Sequence, residues 1–323
     1  MNLNITTIAL LLCLNLYANG FRGKAGQEAF AFTDNTINAR SLALSKLHSS
    51  YNQPNLYQSA SFDTLETISF HLSPGLYNEK YSELAWYIGT GDFQYRNHIQ
   101  FYDRGEIPSY SPEGVIRQNN DHPLAWVLQQ GVSYQVNSRW NIGADMQAVM
   151  EHLTHQEDTQ TSLGGALHLG AMYFPGPKGM VWGVSLRNFG SEWISNSKSS
   201  TELSSMNTTI QTALSFRMVK FPRVKWSLGY ESSAYYEPQA KISTQIQANR
   251  HMSLMISTSL SHSYIYNSWN QLQDTNYQRT LAPRDFLGIG SSFKFDSWSM
   301  IIGGNLNQAD YKPIYSVGIE YAI

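Results

Sequence analysis

The sequence predicts an all-β fold, a transmembrane antiparallel β-barrel of about 14 strands, and three observations support this prediction. Segments that alternate apolar and polar residues recur from about residue 65 onward. Charged residues are only 14% of the 323 residues while aromatic residues are 13%, whereas roughly a quarter of a typical soluble domain is charged. The last eleven residues, 313–323, alternate strictly and present an apolar face, which a membrane barrel covers with lipid.

This final segment predicts the strand that closes the barrel. Side chains alternate across a strand with period two, and one face carries only apolar or aromatic residues, namely Tyr315, Val317, Ile319, Tyr321 and Ile323. The order of Ser316, Gly318, Tyr321 and Ile323 resembles the C-terminal assembly signal of bacterial outer-membrane barrels, which usually ends in an aromatic residue rather than isoleucine. We therefore expect these four residues to act in assembly, with the barrel assembly machinery and outer-membrane lipid as partners.

Charge and cysteine content exclude several classes of partner and site. The formal net charge is −2 and the isoelectric point is about 6.5, so the chain lacks the basic character of a nucleic-acid-binding protein. Cys13 is the single cysteine and lies in the predicted leader, so the mature chain offers neither a disulfide nor a thiolate metal site. By composition alone, a secreted soluble β protein remains the alternative.

The chain divides into three predicted parts. Residues 1–20 are expected to be a signal peptide, with an apolar core over 8–16 and small residues at the cleavage position, although no Lys or Arg precedes the core. Residues 21–64 lack sustained alternation and are expected to form a plug-like segment folded into or under the lumen; a flexible periplasmic tail is the alternative. Residues 65–323 are expected to form the barrel.

Fourteen segments are the candidate strands, although boundaries are less certain than existence. They are residues 65–72, 82–90, 94–102, 129–136, 139–151, 163–174, 180–189, 209–218, 224–233, 241–249, 251–261, 286–295, 298–306 and 314–323. Tight turns are predicted at Asn137-Ser138, Asn249-Arg250 and Asp296-Ser297, and long polar loops at 103–128, 190–208 and 264–285. This alternation of short and long connections is typical of barrels with short periplasmic turns and long outer loops.

No residue pattern predicts catalysis. The run from Glu151 to Asp158 holds two histidines and three carboxylates, but in the order Glu-His-x-x-His, which is not the zincin motif; a polar loop is the favoured interpretation. There is no Gly-x-Ser-x-Gly motif. The expectation is therefore no catalytic residue, no metal and no cofactor.

Two kinds of residue in the strand patterns predict packing inside the barrel. Gly164-Gly165 and Gly303-Gly304 fall in predicted strands, where glycine marks bulges or the close approach of another backbone. Arg187 and Arg217 lie on polar faces and are expected to point into the lumen, pairing with acids such as Asp145 or Glu231 or touching the N-terminal segment.

The N-terminal segment resembles the opening of the PorV/PorQ family of outer-membrane barrels. Gln27–Thr33 contains Phe30 and Phe32, and Ala39-Arg40 with Ala43-Leu44 matches the Ala-Arg-x-x-Ala-Leu-Gly-Gly segment of that family, with Ser45-Lys46 in place of Gly-Gly. The runs 167–173 and 184–190 are similar to a paired-strand pattern of the same family. Overall length is closer to the PorQ branch. The residues expected to join the plug to the lumen are Phe30, Phe32, Arg40, Arg187 and Arg217.

This resemblance implies a fatty-acid-transporter-like (FadL-like) barrel with its N-terminal segment in the lumen. It also implies a non-enzymatic accessory role in type IX protein secretion at the outer membrane of Gram-negative, Bacteroidetes-like bacteria, with secretion proteins or exported cargo as partners. The alternative is a channel or binding protein for hydrophobic small molecules; a barrel hydrolase is a third hypothesis without a motif. An apolar pocket would favour transport, and a lumen filled by residues 21–64 would favour a scaffold.

Overall fold

The protein is a closed, antiparallel 14-stranded β-barrel, as predicted, in which each strand pairs with its neighbours in sequence and β1 pairs with β14. The computed structural model describes residues 38–47, 58–62, 66–74, 79–105, 123–155, 158–176, 180–194, 205–234, 238–261, 287–307 and 312–323. The strands are β1 Thr67–Pro74, β2 Lys80–Thr90, β3 Phe93–Asp103, β4 Leu124–Asn137, β5 Trp140–His155, β6 Asp158–Tyr173, β7 Val181–Ile194, β8 Thr209–Met218, β9 Phe221–Ser233, β10 Gln239–Gln247, β11 Met252–Ser261, β12 Leu287–Phe295, β13 Trp298–Asn307 and β14 Lys312–Ala322.

Each predicted segment overlaps one strand, but several strands extend further at one end of the barrel. β4 begins at Leu124 inside the predicted loop 103–128, and β7 continues to Ile194. The predicted polar loop around Glu151 is wrong, since β5 and β6 remain paired as far as His155 and Asp158. A strand that projects beyond the lipid no longer needs an apolar outer face, so the periodicity that identified it in the sequence fades there.

The two faces of the barrel wall have opposite chemistry. Large apolar side chains project outward, as at Val317 on β14 and Ile289 on β12, which are 45% and 57% exposed. The neighbouring inward positions are polar and buried, as at Ser316 on β14 and Ser257 on β11. An exposed apolar band around a polar interior is the arrangement of a membrane barrel.

Aromatic pairs mark both edges of this apolar band. At the end with short turns, Trp140 packs on Tyr173 and Trp298 on Tyr321, with ring centroids 4.6 and 4.4 Å apart. At the end with long loops, Phe101 of β3 packs on Trp126 of β4. Aromatic residues settle at the two interfaces of a bilayer, so these pairs place the membrane boundaries. We call the two ends of the barrel the turn end and the loop end.

Described parts of the N-terminal segment lie inside the barrel. A short helix, α1 (Ala39–Ala43), begins at Asn38, whose side-chain oxygen accepts from the backbone N–H groups of Arg40 and Ser41. Its Ala39 and Ala43 are buried with Met255 and Ile301, inward residues of β11 and β13. Residues 58–62 lie against other strands of the wall. We call residues 38–47 and 58–62 the plug. No helix among the described residues is long and apolar enough to cross a membrane.

Glycines in the wall let the plug backbone approach closely. A Cβ on Gly303 would lie 1.7 Å from the carbonyl oxygen of Ala39, and a Cβ on Gly143 would lie 1.7 Å from the carbonyl oxygen of Ser59. At Gly303 another backbone therefore approaches closely, which is one of the roles that a glycine within a strand indicates. Only residues without a side chain allow these contacts.

Candidate functional site

A buried ion pair of the barrel lies in one cross-strand row. Arg96 of β3 is paired in register with Gly131 of β4, and Gly131 is paired with Asp145 of β5. A Cβ on Gly131 would meet the Asp145 carboxylate, so this glycine leaves room for Arg96 to reach across a whole strand. The Arg96 guanidinium lies 2.7 Å from Asp145, and each side chain is 2% exposed. The sequence places all three residues on inward faces of neighbouring strands.

This ion pair also binds the plug. Arg96 donates to the backbone carbonyl of Gln58 at 2.8 Å and to the carbonyl of Ser59. The Ser59 hydroxyl donates in turn to the second oxygen of Asp145. Because charged hydrogen bonds in a buried setting are strong and costly to break, this cluster anchors residues 58–62 to β3 and β5.

A second anchor joins the start of α1 to the seam where the barrel closes. Arg40 forms an ion pair with Glu320 of β14 at 2.9 Å. The Asn38 amide lies 2.9 Å from the ring of His71 of β1, and the backbone N–H of Ala39 donates to the same ring. The His71 ring in turn occupies the space over Gly318, so the plug contacts both strands of the seam.

The end of the first plug segment contacts the remaining side of the wall. The Ser45 and Ser257 hydroxyl oxygens are 2.7 Å apart, and Gln211 of β8 donates to the carbonyl of Lys46 at 2.8 Å. Ser45 and Lys46 both have positive φ, 47° and 57°, a conformation that glycine adopts most easily. The plug thus makes polar contacts to strands all around the lumen.

An apolar cluster lies in the lumen wall toward the loop end. Its buried core is formed by inward residues of β3, β4 and β5 together with Met206, which follows β7. None of the described plug residues belongs to it. Its members are Tyr102, Ala125, Val127, Val149 and Met206, with Tyr81 and Ala166 packed alongside. All five buried members are at most 2% exposed, so they form a packed apolar region of the lumen wall.

The residues that the sequence singled out are spread through the barrel. Arg187 is buried on β7 beside Asn188, which has a positive φ of 53°. Arg217 lies at the turn end of β8, directly opposite Lys225 of β9. Phe30 and Phe32 lie outside the described residues. The predicted pairing of Asp145 or Glu231 with Arg187 or Arg217 is wrong. Asp145 pairs with Arg96, and Glu231 lies 3.0 Å from Lys241.

The four predicted assembly residues all lie on β14. Ser316 donates to the carbonyl of Leu72 on β1, and Gly318 lies under the His71 ring. Tyr321 packs on Trp298, and the backbone N–H of Ile323 donates to the backbone carbonyl of Glu66. They belong to the closing seam, and their role in assembly stays a prediction.

In the described part of the chain, no group of three or more His, Cys, Asp or Glu residues has the geometry of a metal site. His152, in the histidine-rich run, hydrogen-bonds to Thr161 at 3.1 Å.

The sequence alone does not identify Arg96 and Gly131, or Arg96 as the partner of Asp145, because their row depends on the register of three strands. The signal that could have located the row is an inward-facing glycine with inward-facing residues of opposite charge beside it on the two adjacent strands. This signal can be recognised only once the register of the strands is known.

Solved structures with a similar fold include two proteins described as hydrocarbon transporters or channels and a FadL homologue. The Pseudomonas putida toluene transporter TodX matches with a TM-score of 0.56 and 12% identity, covering 87% of this chain and 96% of that one. The CymD monoaromatic hydrocarbon channel matches with a TM-score of 0.59 and 9% identity, covering 89% and 97%. A Pseudomonas aeruginosa FadL homologue matches with a TM-score of 0.51 and 8% identity, covering 89% and 98%.

The comparison of sequences gives no further assignment, since no protein-family model matches the chain and no curated protein does. At these identities the structural likeness establishes the fold, and the chain accordingly has the fold of a FadL-like outer-membrane barrel.

Proposed function

We propose that this protein is a non-enzymatic outer-membrane barrel that binds hydrophobic small molecules and passes them across the outer membrane. The observation that carries the proposal is the apolar cluster around Val127 and Val149, a packed group of inward-facing side chains in the lumen wall toward the loop end. Barrels have long loops outside and short turns in the periplasm, so this cluster faces the side from which a solute arrives. The likeness to proteins described as hydrocarbon transporters or channels supports the same function.

Uptake by whole cells tests this function. The protein is expressed in a Gram-negative host that lacks hydrocarbon channels, and the initial uptake rates of radiolabelled toluene and sucrose are measured. We expect faster toluene uptake than in cells with an empty vector and unchanged sucrose uptake, because an apolar cluster offers a sugar no hydrogen-bond partners. Replacing both valines with asparagine (Val127→Asn with Val149→Asn) should reduce the toluene rate at least about fivefold, since each amide would place a polar group inside the apolar cluster.

The matched control keeps the wall apolar. Val127→Ile with Val149→Ile should retain most of the toluene uptake when the amounts of folded barrel, measured by heat-modifiable migration, are equal. Equal toluene rates for the asparagine variant and the wild type, or no gain over the empty vector, would rule out the proposal.

A second candidate is an accessory role in type IX secretion in a Bacteroidetes-like outer membrane, acting through secretion proteins or exported cargo. One observation favours it: Ser45 and Lys46, which have positive φ, occupy the two positions where the resembling PorV/PorQ pattern has glycine. The extensive plug contacts also suit a scaffold. Co-purification from native outer membranes separates the two candidates, because a scaffold should retain a secretion component and a channel should not.

A further inference from the structure

The turn end of the lumen contains a cavity of about 500 Å³ on the side of the plug opposite the apolar cluster. Its wall is formed by the start of the plug at Asn38 and Arg40, the turn ends of several strands, and the β10–β11 and β12–β13 turns. A volume of this size is typical of small-molecule sites. We call it the basic vestibule.

The charge of the basic vestibule is strongly one-sided. Among the described residues that line it, six are Lys or Arg and two are acids, an excess of four positive charges, in a chain whose net charge is −2. The cations are Arg40, Arg217, Arg223, Lys225, Arg250 and Lys294, and the acids are Asp296 and Glu320. Glu320 is already paired with Arg40. The remaining cations therefore face a cavity with a single further carboxylate in its described lining.

Two of these cations oppose each other directly. Arg217 and Lys225 are partners in the register of β8 and β9, and each lies two residues from a fully buried, inward-facing serine, Ser215 and Ser227 respectively. Like charges directly opposite on adjacent strands are destabilising. Arg223 lies two residues before Lys225 on β9, and Lys294 lines the cavity from β12, so the repulsion is not confined to one pair. An anion between these groups would offset it.

We propose that the basic vestibule binds a small multivalent anion that carries phosphate or carboxylate groups. Arginine forms paired hydrogen bonds to both groups, and lysine adds a point charge. The half-enclosed cavity suits a small molecule better than a protein surface. Because the site opens at the turn end, the anion is taken from the periplasm. This proposal does not depend on the proposed transport of hydrophobic molecules, because the plug lies between the basic vestibule and the apolar cluster.

Titration calorimetry on the purified full-length barrel tests the proposal with inorganic pyrophosphate and, separately, a hexaglutamate peptide as probes. We expect pyrophosphate binding that weakens as sodium chloride is raised and a higher melting temperature in its presence. Arg217→Gln with Lys225→Gln should weaken the affinity at least about tenfold, because two charge-assisted contacts are lost. If this variant does not fold, Arg223→Gln with Lys294→Gln serves the same purpose.

The control removes the same charge from the same end of the barrel. Arg139 and Lys220 are exposed in the β4–β5 and β8–β9 turns and do not line the cavity, so Arg139→Gln with Lys220→Gln should leave pyrophosphate affinity within about twofold of the wild type. The proposal is overturned if the wild type does not bind pyrophosphate, if both double variants bind it as well as the wild type, or if hexaglutamate binds more tightly than pyrophosphate.

Discussion

Replacing Asp145 with leucine is expected to lower the free energy of unfolding by about 3–5 kcal/mol, because it leaves the Arg96 charge buried without an acid. Both side chains are 2% exposed and lie 2.7 Å apart, and the carboxylate also accepts from the Ser59 hydroxyl of the plug. The loss should appear in urea unfolding of the barrel in lipid vesicles, followed by tryptophan fluorescence. The same variant should make residues 58–62 more accessible to protease.

Two further variants separate this cause from a general loss of packing. Arg96→Met with Asp145→Leu should lose less stability than Asp145→Leu alone, since no charge is stranded, although the Gln58 carbonyl loses its donor. Arg104→Gln breaks a partly exposed ion pair with Glu151, in which Arg104 is 41% exposed, and should cost under about 1 kcal/mol. Equal losses for Asp145→Leu and Arg104→Gln would show that the buried row is not an anchor.

Gly303→Ala is expected to destabilise the protein by about 1–3 kcal/mol and to displace α1 from the wall. The added methyl group would lie 1.7 Å from the Ala39 carbonyl oxygen, so either the helix or β13 must shift. The melting temperature of the folded barrel, measured by its heat-modifiable migration, reports the loss of stability.

The adjacent glycine is the matched control. A Cβ on Gly304 would have its nearest neighbour at 3.4 Å, so Gly304→Ala should change stability by no more than about 0.5 kcal/mol. If Gly303→Ala were as stable as Gly304→Ala, the close contact between α1 and β13 would be contradicted.

The fold could be predicted from the sequence because lipid imposes a strict rule on every membrane-spanning strand. Trp226 and Leu228 on β9 had to alternate with Ser227 and Gly229, and the same rule located β8 with its exact ends, Thr209–Met218. The rule no longer applies where a strand leaves the bilayer. For this reason the start of β4 and the loop end of the β5–β6 hairpin are not predicted from the sequence.

The contacts inside the lumen could be predicted only in kind. Gly303 indicated close backbone approach, but nothing in the sequence identifies Ala39 as the backbone that approaches it. Arg40 was expected to join the plug to the wall, yet its partner Glu320 lies 280 positions away. Such pairings depend on where the plug enters the barrel and on the register of the wall, and neither leaves a periodic signal in the sequence.

The central claim, that residues 38–47 stand inside the closed barrel, is tested most directly by a disulfide between Ser45→Cys and Ser257→Cys in intact outer membranes. The two hydroxyl oxygens are 2.7 Å apart, within reach of a disulfide. Ser45→Cys with Ser133→Cys, which lies on β4, is the distant control, and single variants account for Cys13. We expect near-complete oxidation of the first pair and little of the second. Free thiols in the first pair, or equal oxidation of both pairs, would contradict it.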